Sequence, residues 1–551
     1  VKRKLSIIIA SPALVLLLAL TGSAQGKLMG GVGKTDITPP VGTPLAGYGA
    51  RRGKPSTGVH DPTEARALVL DNGSEKIALV SVDHLGFDHG MVERIRALAS
   101  EAAHIAPDHI FVMSSHTHSG GGAFMEMLPP LANALAGKFD PKIRAVYEQR
   151  TAEAIITANR SLSPVRIGFG AGEARGISRF RSSWPPNGPV DPEVGVIRVD
   201  SAVTRKPLAV LMNFAAHPTV LGADNMSFSA DFAGYARNAL EKMIGGDVMA
   251  IFANGAQGTI APNAFAGDDG WQRAENVGTI LAAEVFKVAL MIKTQDSVEI
   301  RLARRPLTLK IVPTSIFPPM MAYPPGYESE INAISFDNRV AFVAIPGELG
   351  SILNFQVKER GKLLGFEKTF ILGLTNDALG YIISEDEYRH RTYESTISLF
   401  GPTFGSFIVN ESFQLLEKLR PVEKRGKRNE PPIQLRDRAM NSILSVLSDL
   451  PLVGFPAPAI NPSLQTPSRE LPAEEGPNQN REGDQSPAQA GINSQRDDQR
   501  HRQMNRENPL SRELSDPCPP VAEGQVEYEH DCRYSPHAHT EFARCLATSL
   551  D

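Results

Sequence analysis

Between about Lys27 and Leu419, short apolar runs alternate with longer amphipathic stretches. The runs EARALVLD (64–71), KIALVSVD (76–83), HIFVMSS (109–115), VGVIRVD (194–200), LAVLMNFAA (208–216), VMAIFAN (248–254), NRVAFVAIP (338–346) and TFILGLTND (369–377) are rich in Val, Ile and Phe. Many are apolar throughout, which predicts strands buried on both faces. Residues 90–106, 142–162, 232–245, 271–292 and 404–420 instead carry apolar positions spaced by three and four, the signature of helices lying on a sheet. The alternation predicts an α/β, mixed-sheet domain with helices packed on the sheets, over residues 25–424.

Beyond Pro421 the pattern breaks. Residues 423–438 are charged, and 439–455 could form one small docking helix. From Pro456 to Arg512 almost no large apolar residue occurs. Such a stretch cannot bury enough surface to fold, so 425–551 is expected to be a low-complexity, mostly disordered tail. At the other end, Lys2, Arg3 and Lys4 precede an apolar run from Leu5 to Leu20 that Pro12 interrupts, and small residues follow to Ala24. This predicts a cleaved export signal over 1–24 and a secreted or periplasmic protein. All the cysteines, Cys518, Cys532 and Cys545, lie in the tail, so the body must be held by its core rather than by disulfides. In the tail, Cys532, His537, His539 and Cys545 match no trusted zinc spacing. A net charge of −4 over 551 residues implies no broad basic surface and argues against nucleic acid as a partner.

The chemistry sits where the apolar runs stop. The run at 109–115 ends on His116 and His118, with Gly120, Gly121 and Gly122 just after. The run at 208–216 ends on His217-Pro218, that at 338–346 leads to Glu348, and that at 369–377 stops just before Tyr381. In open α/β sheets ligands bind beyond the carboxyl ends of strands. His and Glu are good zinc ligands, and a catalytic zinc takes about three protein ligands with one position left open. If strand geometry continued through His116 and His118, the two would point the same way, one for metal and one as a base or hydrogen-bond partner. The three glycines let backbone pass close to metal or substrate.

These segments also resemble those of a known family, the neutral, non-lysosomal ceramidases, which are zinc-dependent amidases. KTDITPP, GYG and ARALVL look like its opening, SHTHSGGG like its His-Thr-His-Ser-Gly signature and NFAAHPTVLG like its second histidine segment. IPGELGS resembles its glutamate segment, and GYIISEDEYRHRTYESTISLFGP its double-tyrosine segment. The resemblance implies His116, His217, Glu348 and Tyr381 as zinc ligands and His118 as a catalytic histidine beside them. It implies Arg179 as the arginine that binds and polarises substrate, with Arg181 and Arg175 close by, and Tyr393 as a second active-site tyrosine. It further implies hydrolysis of the N-acyl amide of ceramide or a related lipid, and contact with a membrane surface.

The sequence departs from the family in two places. Where the family reads Gly-Asp-Val-Ser-Pro-Asn, this chain has Gly258-Thr259-Ile260-Ala261-Pro262-Asn263, which rules out a serine nucleophile there. No run of alternating strands follows 424, where well-known members carry an immunoglobulin-like domain. Two other readings therefore stand beside the amidase: a hydrolase of another amide or an ester on the same scaffold, and an inactive binding protein.

Overall fold

The structure is a computed structural model that describes residues 27–126, 129–263, 267–312 and 326–421. The expected export signal and the tail lie outside the described residues. The strands, in chain order, are β1 (Met29–Asp36), β2 (Gly58–Val59), β3 (Glu64–Asp71), β4 (Lys76–Val82), β5 (Ile110–Ser114), β6 (Ser163–Glu173), β7 (Ser178–Phe180), β8 (Glu193–Ser201) and β9 (Pro207–Phe214). They continue with β10 (Ser227–Phe228), β11 (Met249–Asn254), β12 (Ile260–Pro262), β13 (Ile300–Leu309), β14 (Tyr327–Phe336), β15 (Val340–Ala344), β16 (Glu348–Leu349), β17 (Lys368–Leu372) and β18 (Tyr381–Ile382). The helices are α1 (His89–Ala103), α2 (Pro129–Ala136), α3 (Pro141–Arg160), α4 (Asp231–Ile244), α5 (Gly270–Met291), α6 (Ser351–Leu363), α7 (Glu385–Arg389), α8 (Tyr393–Thr396) and α9 (Phe404–Lys418).

Two sheets make the frame. The larger runs β11-β9-β8-β6-β1-β3-β4-β5 and the smaller β13-β14-β15-β17. Both mix parallel and antiparallel pairs: β4–β5, β9–β11 and β15–β17 are parallel. The sheets face one another across a core that joins Leu68, Leu79, Ile197 and Leu211 to Ile334, Phe342 and Phe370. Their outer faces are covered by helices. On the large sheet, Met91 and Ile95 of α1 and Ile155 of α3 pack with Val69 and Val80, while Phe232 of α4 and Leu281 of α5 pack with Val210 and Phe252. On the small sheet, Leu353 and Val357 of α6 and Ile408 of α9 pack with Ile331 and Val343. Strands covered on both sides need apolar residues at every position, which is why those runs read as continuous rather than alternating.

Some strands are hidden in the sequence because glycine stands where an apolar residue is expected. In β6, a Cβ on Gly168 would lie 2.6 Å from the Lys293 carbonyl, and one on Gly170 would lie 2.8 Å from Ile292 Cγ1. Glycine at alternate positions lets α5 and its C-terminal extension rest on the strand backbone. The strand β14 is concealed by Glu330 and Asn332, both fully buried.

Glu330 is a cross-link within this core. Its carboxylate accepts from Arg96 Nη2 at 2.6 Å, Arg304 Nε at 2.6 Å, Asn332 Nδ2 at 2.8 Å and Asn376 Nδ2 at 2.9 Å. Burial alone would raise its pKa, but the hydrogen bond and charge of Arg96 outweigh that, and it falls to about 2. Glu330→Gln leaves the buried Arg96 guanidinium with only the half-exposed Glu93 carboxylate, 2.8 Å from its Nη1, as counter-charge, so we expect a loss of roughly 3 kcal/mol of stability at neutral pH. A carboxylate with a depressed folded-state pKa contributes its full stabilisation above the unfolded value of 4.5 and loses it as pH falls through about 2. Denaturant midpoints at pH 6 and pH 3 should therefore drop more for the wild-type chain than for Glu330→Gln.

The topology also brings distant strands together. By hydrogen-bonding order, β5 and β11 are the two edges of the large sheet. Ser81 of β4 nevertheless donates to the Phe252 carbonyl of β11 at 2.5 Å, and Asn254 Nδ2 donates to the Ser115 carbonyl at 2.8 Å. The chain leaving β17 joins both edges, through a bridge between Met113 and Thr375 and a bond from Gly373 N to Asn254 O at 2.9 Å. The ends of β5, β9, β11, β15 and β17 therefore meet at one place.

Candidate metal centre and active site

The first two histidines lie past the end of β5, not on it. The strand stops at Ser114, and His116 has a φ of +71°, in the left-handed region that non-glycine residues seldom adopt. The turn is held by Ser115 N on Val82 O at 2.9 Å, His116 N on His84 O at 3.0 Å and His118 N on Pro218 O at 3.3 Å. The continued strand geometry expected for His116 and His118 is therefore replaced by a strained turn. The result is convergent all the same: the two rings are 4.9 Å apart and nearly perpendicular, with their Nε2 atoms 3.3 Å from each other.

His217 follows β9, and its backbone N–H donates to Ile260 O at 3.0 Å. Glu348 enters from the small-sheet side. It pairs in parallel register with Tyr381, so the two side chains are neighbours. Glu348 Oε2 lies 3.2 Å from His116 Nε2 and 3.0 Å from His217 Nε2. All three residues are buried.

The outer ring nitrogens decide what these groups can do. His116 Nδ1 donates to the Leu85 carbonyl at 2.6 Å, and His217 Nδ1 to the Gln257 carbonyl at 2.8 Å. With the proton fixed on Nδ1, each Nε2 presents a lone pair toward Glu348. That explains why Glu348 Oε2 has no hydrogen-bond partner although two ring nitrogens lie close to it. Three electron-pair donors facing one point inside a protein call for a cation. Nitrogen, nitrogen and carboxylate oxygen form a donor set well matched to zinc, so the residues fit the metal that the sequence suggested. The Nε2 or Nδ1 atoms of His116, His118 and His217 also lie within 4.8 Å of one another. His118 differs from the other two, because its Nδ1 is buried with no hydrogen-bond partner and no carbonyl orients its ring.

The electrostatics agree. Burial alone would raise the Glu348 pKa, but its close contacts with His116 and His217 hold it well below the usual carboxylate range. Burial, then Arg181, pushes His217 down to about 3. Burial, then His116 and His217, pushes His118 well below the ordinary imidazole value. These shifts favour an ionised Glu348 carboxylate and neutral His217 and His118 imidazoles, the forms that bind metal.

The guanidinium that reaches the imidazoles belongs to Arg181, two residues beyond the expected Arg179. Its Nη2 lies 3.2 Å from His217 Nε2 and donates to Tyr381 OH at 2.8 Å and to Gly258 O at 3.1 Å. Its Nε lies 3.7 Å from Glu394 Oε1. Arg179 sits on β7 in register with Ala261 of β12. Ala261 is itself buried, so no hydroxyl stands at that point of the strand. The Tyr393 ring packs edge-on against the Tyr381 ring at 6.0 Å. Glu394 is buried, accepts from Ser182 Oγ at 2.9 Å, and was not among the sequence candidates. Its only signal was adjacency to Tyr393.

The fold and the site define a two-sheet α/β protein with a buried imidazole–carboxylate centre at converging strand ends. Residues 29–275 match the model of the N-terminal region of the neutral/alkaline non-lysosomal ceramidase family. His116, His118, Arg181 and His217 fall inside that span; Glu348, Tyr381 and Tyr393 fall beyond it. Neutral ceramidase of Mycobacterium tuberculosis (strain ATCC 25618 / H37Rv) is 26% identical over 244 residues, 40% of this chain and 38% of that protein. Neutral ceramidase of Pseudomonas aeruginosa is 27% identical over 252 residues, 42% of this chain and 37% of that protein. The chain thus spans under two-fifths of the length of these curated relatives. The crystal structure of the Pseudomonas aeruginosa neutral ceramidase matches the fold with a TM-score of 0.64 at 19% identity, over 73% of this chain and 76% of that one. That likeness concerns the fold alone.

Proposed function

We propose that this chain is an exported, zinc-dependent amidase of the neutral ceramidase type, which hydrolyses the N-acyl amide bond of ceramide or a related lipid at a membrane surface. The observation that carries the reading is the approach of His116 Nε2 and His217 Nε2 to within 3.2 Å of Glu348 Oε2, with the outer ring nitrogens tied to carbonyls. His116, His217 and Glu348 would hold the metal, with Tyr381 beside them as the further ligand that the resemblance implies. Zinc in such a site lowers the pKa of water to about 7 and polarises a carbonyl.

The remaining work falls to the protein. Amide hydrolysis builds negative charge on the carbonyl oxygen and needs a proton for the departing nitrogen. Arg181 presents its Nη2 beside His217 and Tyr381, where it can stabilise that oxygen. Burial would weaken its charge, but Tyr381, Glu394 and Glu348 outweigh burial and keep the guanidinium protonated. His118 turns Nε2 toward the metal ligands, and Nε2 is the atom at which a proton is accepted or held on its way to the leaving nitrogen. Nothing in this scheme uses the position of Ala261.

The buried alanine at 261 favours a second reading, in which the same centre cleaves another amide or an ester with no lipid involved. Purified protein offered ceramide and simple N-acyl amino compounds separates the two. Turnover of ceramide supports the first reading, and turnover of the simple compounds alone supports the second. In either case we expect a strong chelator to abolish activity and added zinc to restore it at about one ion per chain. Activity that survives complete metal removal contradicts both readings.

A further inference from the structure

A histidine that binds metal is oriented by the bond its other ring nitrogen makes. His116 and His217 have such bonds; His118 Nδ1 is buried and has none. Something else must fix its ring, and the structure shows what does. Gly47 lies against it with a φ of +107°. A Cβ at that position would stand 2.6 Å from His118 Cγ and 2.7 Å from Nδ1, so both the backbone angle and the space require glycine. The ring of Tyr48 meets the His118 ring edge-on at 4.7 Å, and its hydroxyl donates to Leu221 O at 3.0 Å.

Arg51 locks this segment in place. It is 2% exposed, and its guanidinium sits 4.7 Å from the Tyr48 ring centre. It donates to the carbonyls of His118, Ala46, Gly222 and Ala223. A buried cation that satisfies four carbonyls from three segments is a clamp, and one of those carbonyls belongs to the histidine itself. The segment also joins the glycine turn that follows His118, through Ala46 N on Gly120 O at 3.0 Å and a bridge between Leu45 and Gly121.

We propose that Gly47, Tyr48 and Arg51 are positioning residues for His118. They hold its ring by packing and by its own carbonyl, which keeps Nε2 beside the metal ligands while the metal stays on His116, His217 and Glu348. The inference rests on the proposed function for its kinetic readout, though not for its structural one.

The test uses the zinc-loaded full chain and the variants Gly47→Ala, Tyr48→Ala, Tyr48→Phe and Arg51→Met. A ring displaced by about 1 Å costs on the order of 10²-fold in rate. We expect a fall of that order in kcat for Gly47→Ala and Tyr48→Ala, KM within about threefold, and zinc content unchanged. Tyr48→Phe keeps the ring and should recover most of the loss. Arg51→Met should lower kcat in the same way. Zinc lost in parallel with activity in the folded variants, or kcat left unchanged, overturns the proposal. Should Gly47→Ala fail to fold, the Tyr48 pair decides. Should the wild-type chain hydrolyse no amide, the proposed function falls, and the inference is judged from a crystal structure of zinc-loaded Tyr48→Ala. A rotated His118 ring supports it, and a ring left where it is now refutes it.

Discussion

Replacing His217 by alanine should remove zinc and hydrolysis together. Its Nε2 faces Glu348 Oε2 at 3.0 Å, and its Nδ1 is spent on the Gln257 carbonyl, so Nε2 is the atom the ring offers to a metal. Structural zinc sites gain about 10–16 kcal/mol from a full ligand set, so one ligand of four is worth about 3 kcal/mol, or on the order of 100-fold in affinity. Activity should fall by at least that factor at limiting zinc, because the charge stabilisation supplied by the metal goes with it. Titration with zinc, read by metal content and by rate on the same samples, checks the coupling. A variant that keeps zinc affinity but loses rate would move His217 out of the ligand set. One that keeps both would remove the centre from the chemistry.

The second large effect is expected at Arg181. Its Nη2 serves His217, Tyr381 and Gly258 at once, and Glu394 lies beside its Nε. Removing one preorganised donor to a developing oxyanion costs roughly 10²–10³-fold in kcat. Arg181→Met should show that loss with zinc content intact, because the metal ligands remain. Arg179→Met should cost at least about tenfold less than Arg181→Met. The reverse order would assign that role to Arg179, the residue that the sequence resemblance implies. Circular dichroism and metal analysis of both variants separate a catalytic loss from a folding one.

The arginine illustrates where the sequence runs out. Arg179 and Arg181 are two residues apart, so periodicity places them on the same side of a strand, and only the tertiary contacts distinguish them. The strands ending at Ser114 and Phe214 were legible because burial on both faces leaves continuous apolar runs. Their histidines were legible because a charged or polar group directly after such a run has few bland explanations. The strands β6 and β14 were not, since Gly168 and Gly170 make room for α5 and Glu330 answers Arg96. Both substitutions erase the apolar alternation that marks a strand. The turn at His116 was hidden as well: its φ of +71° comes from hydrogen bonds to Val82 and His84, residues about thirty positions away. Glu394 and Gly47 act only through neighbours brought in by the fold, and no local spacing signals them.

The central claim is that His116, His217 and Glu348 form a metal centre with His118 beside it. Crystals of the zinc-loaded chain, with diffraction measured on both sides of the zinc absorption edge, test it most directly. The account predicts a single anomalous peak in contact with Nε2 of His116, Nε2 of His217 and the Glu348 carboxylate, with His118 outside the coordination shell. A peak bound by all three histidines and not by Glu348, or one located elsewhere in the protein, would contradict it.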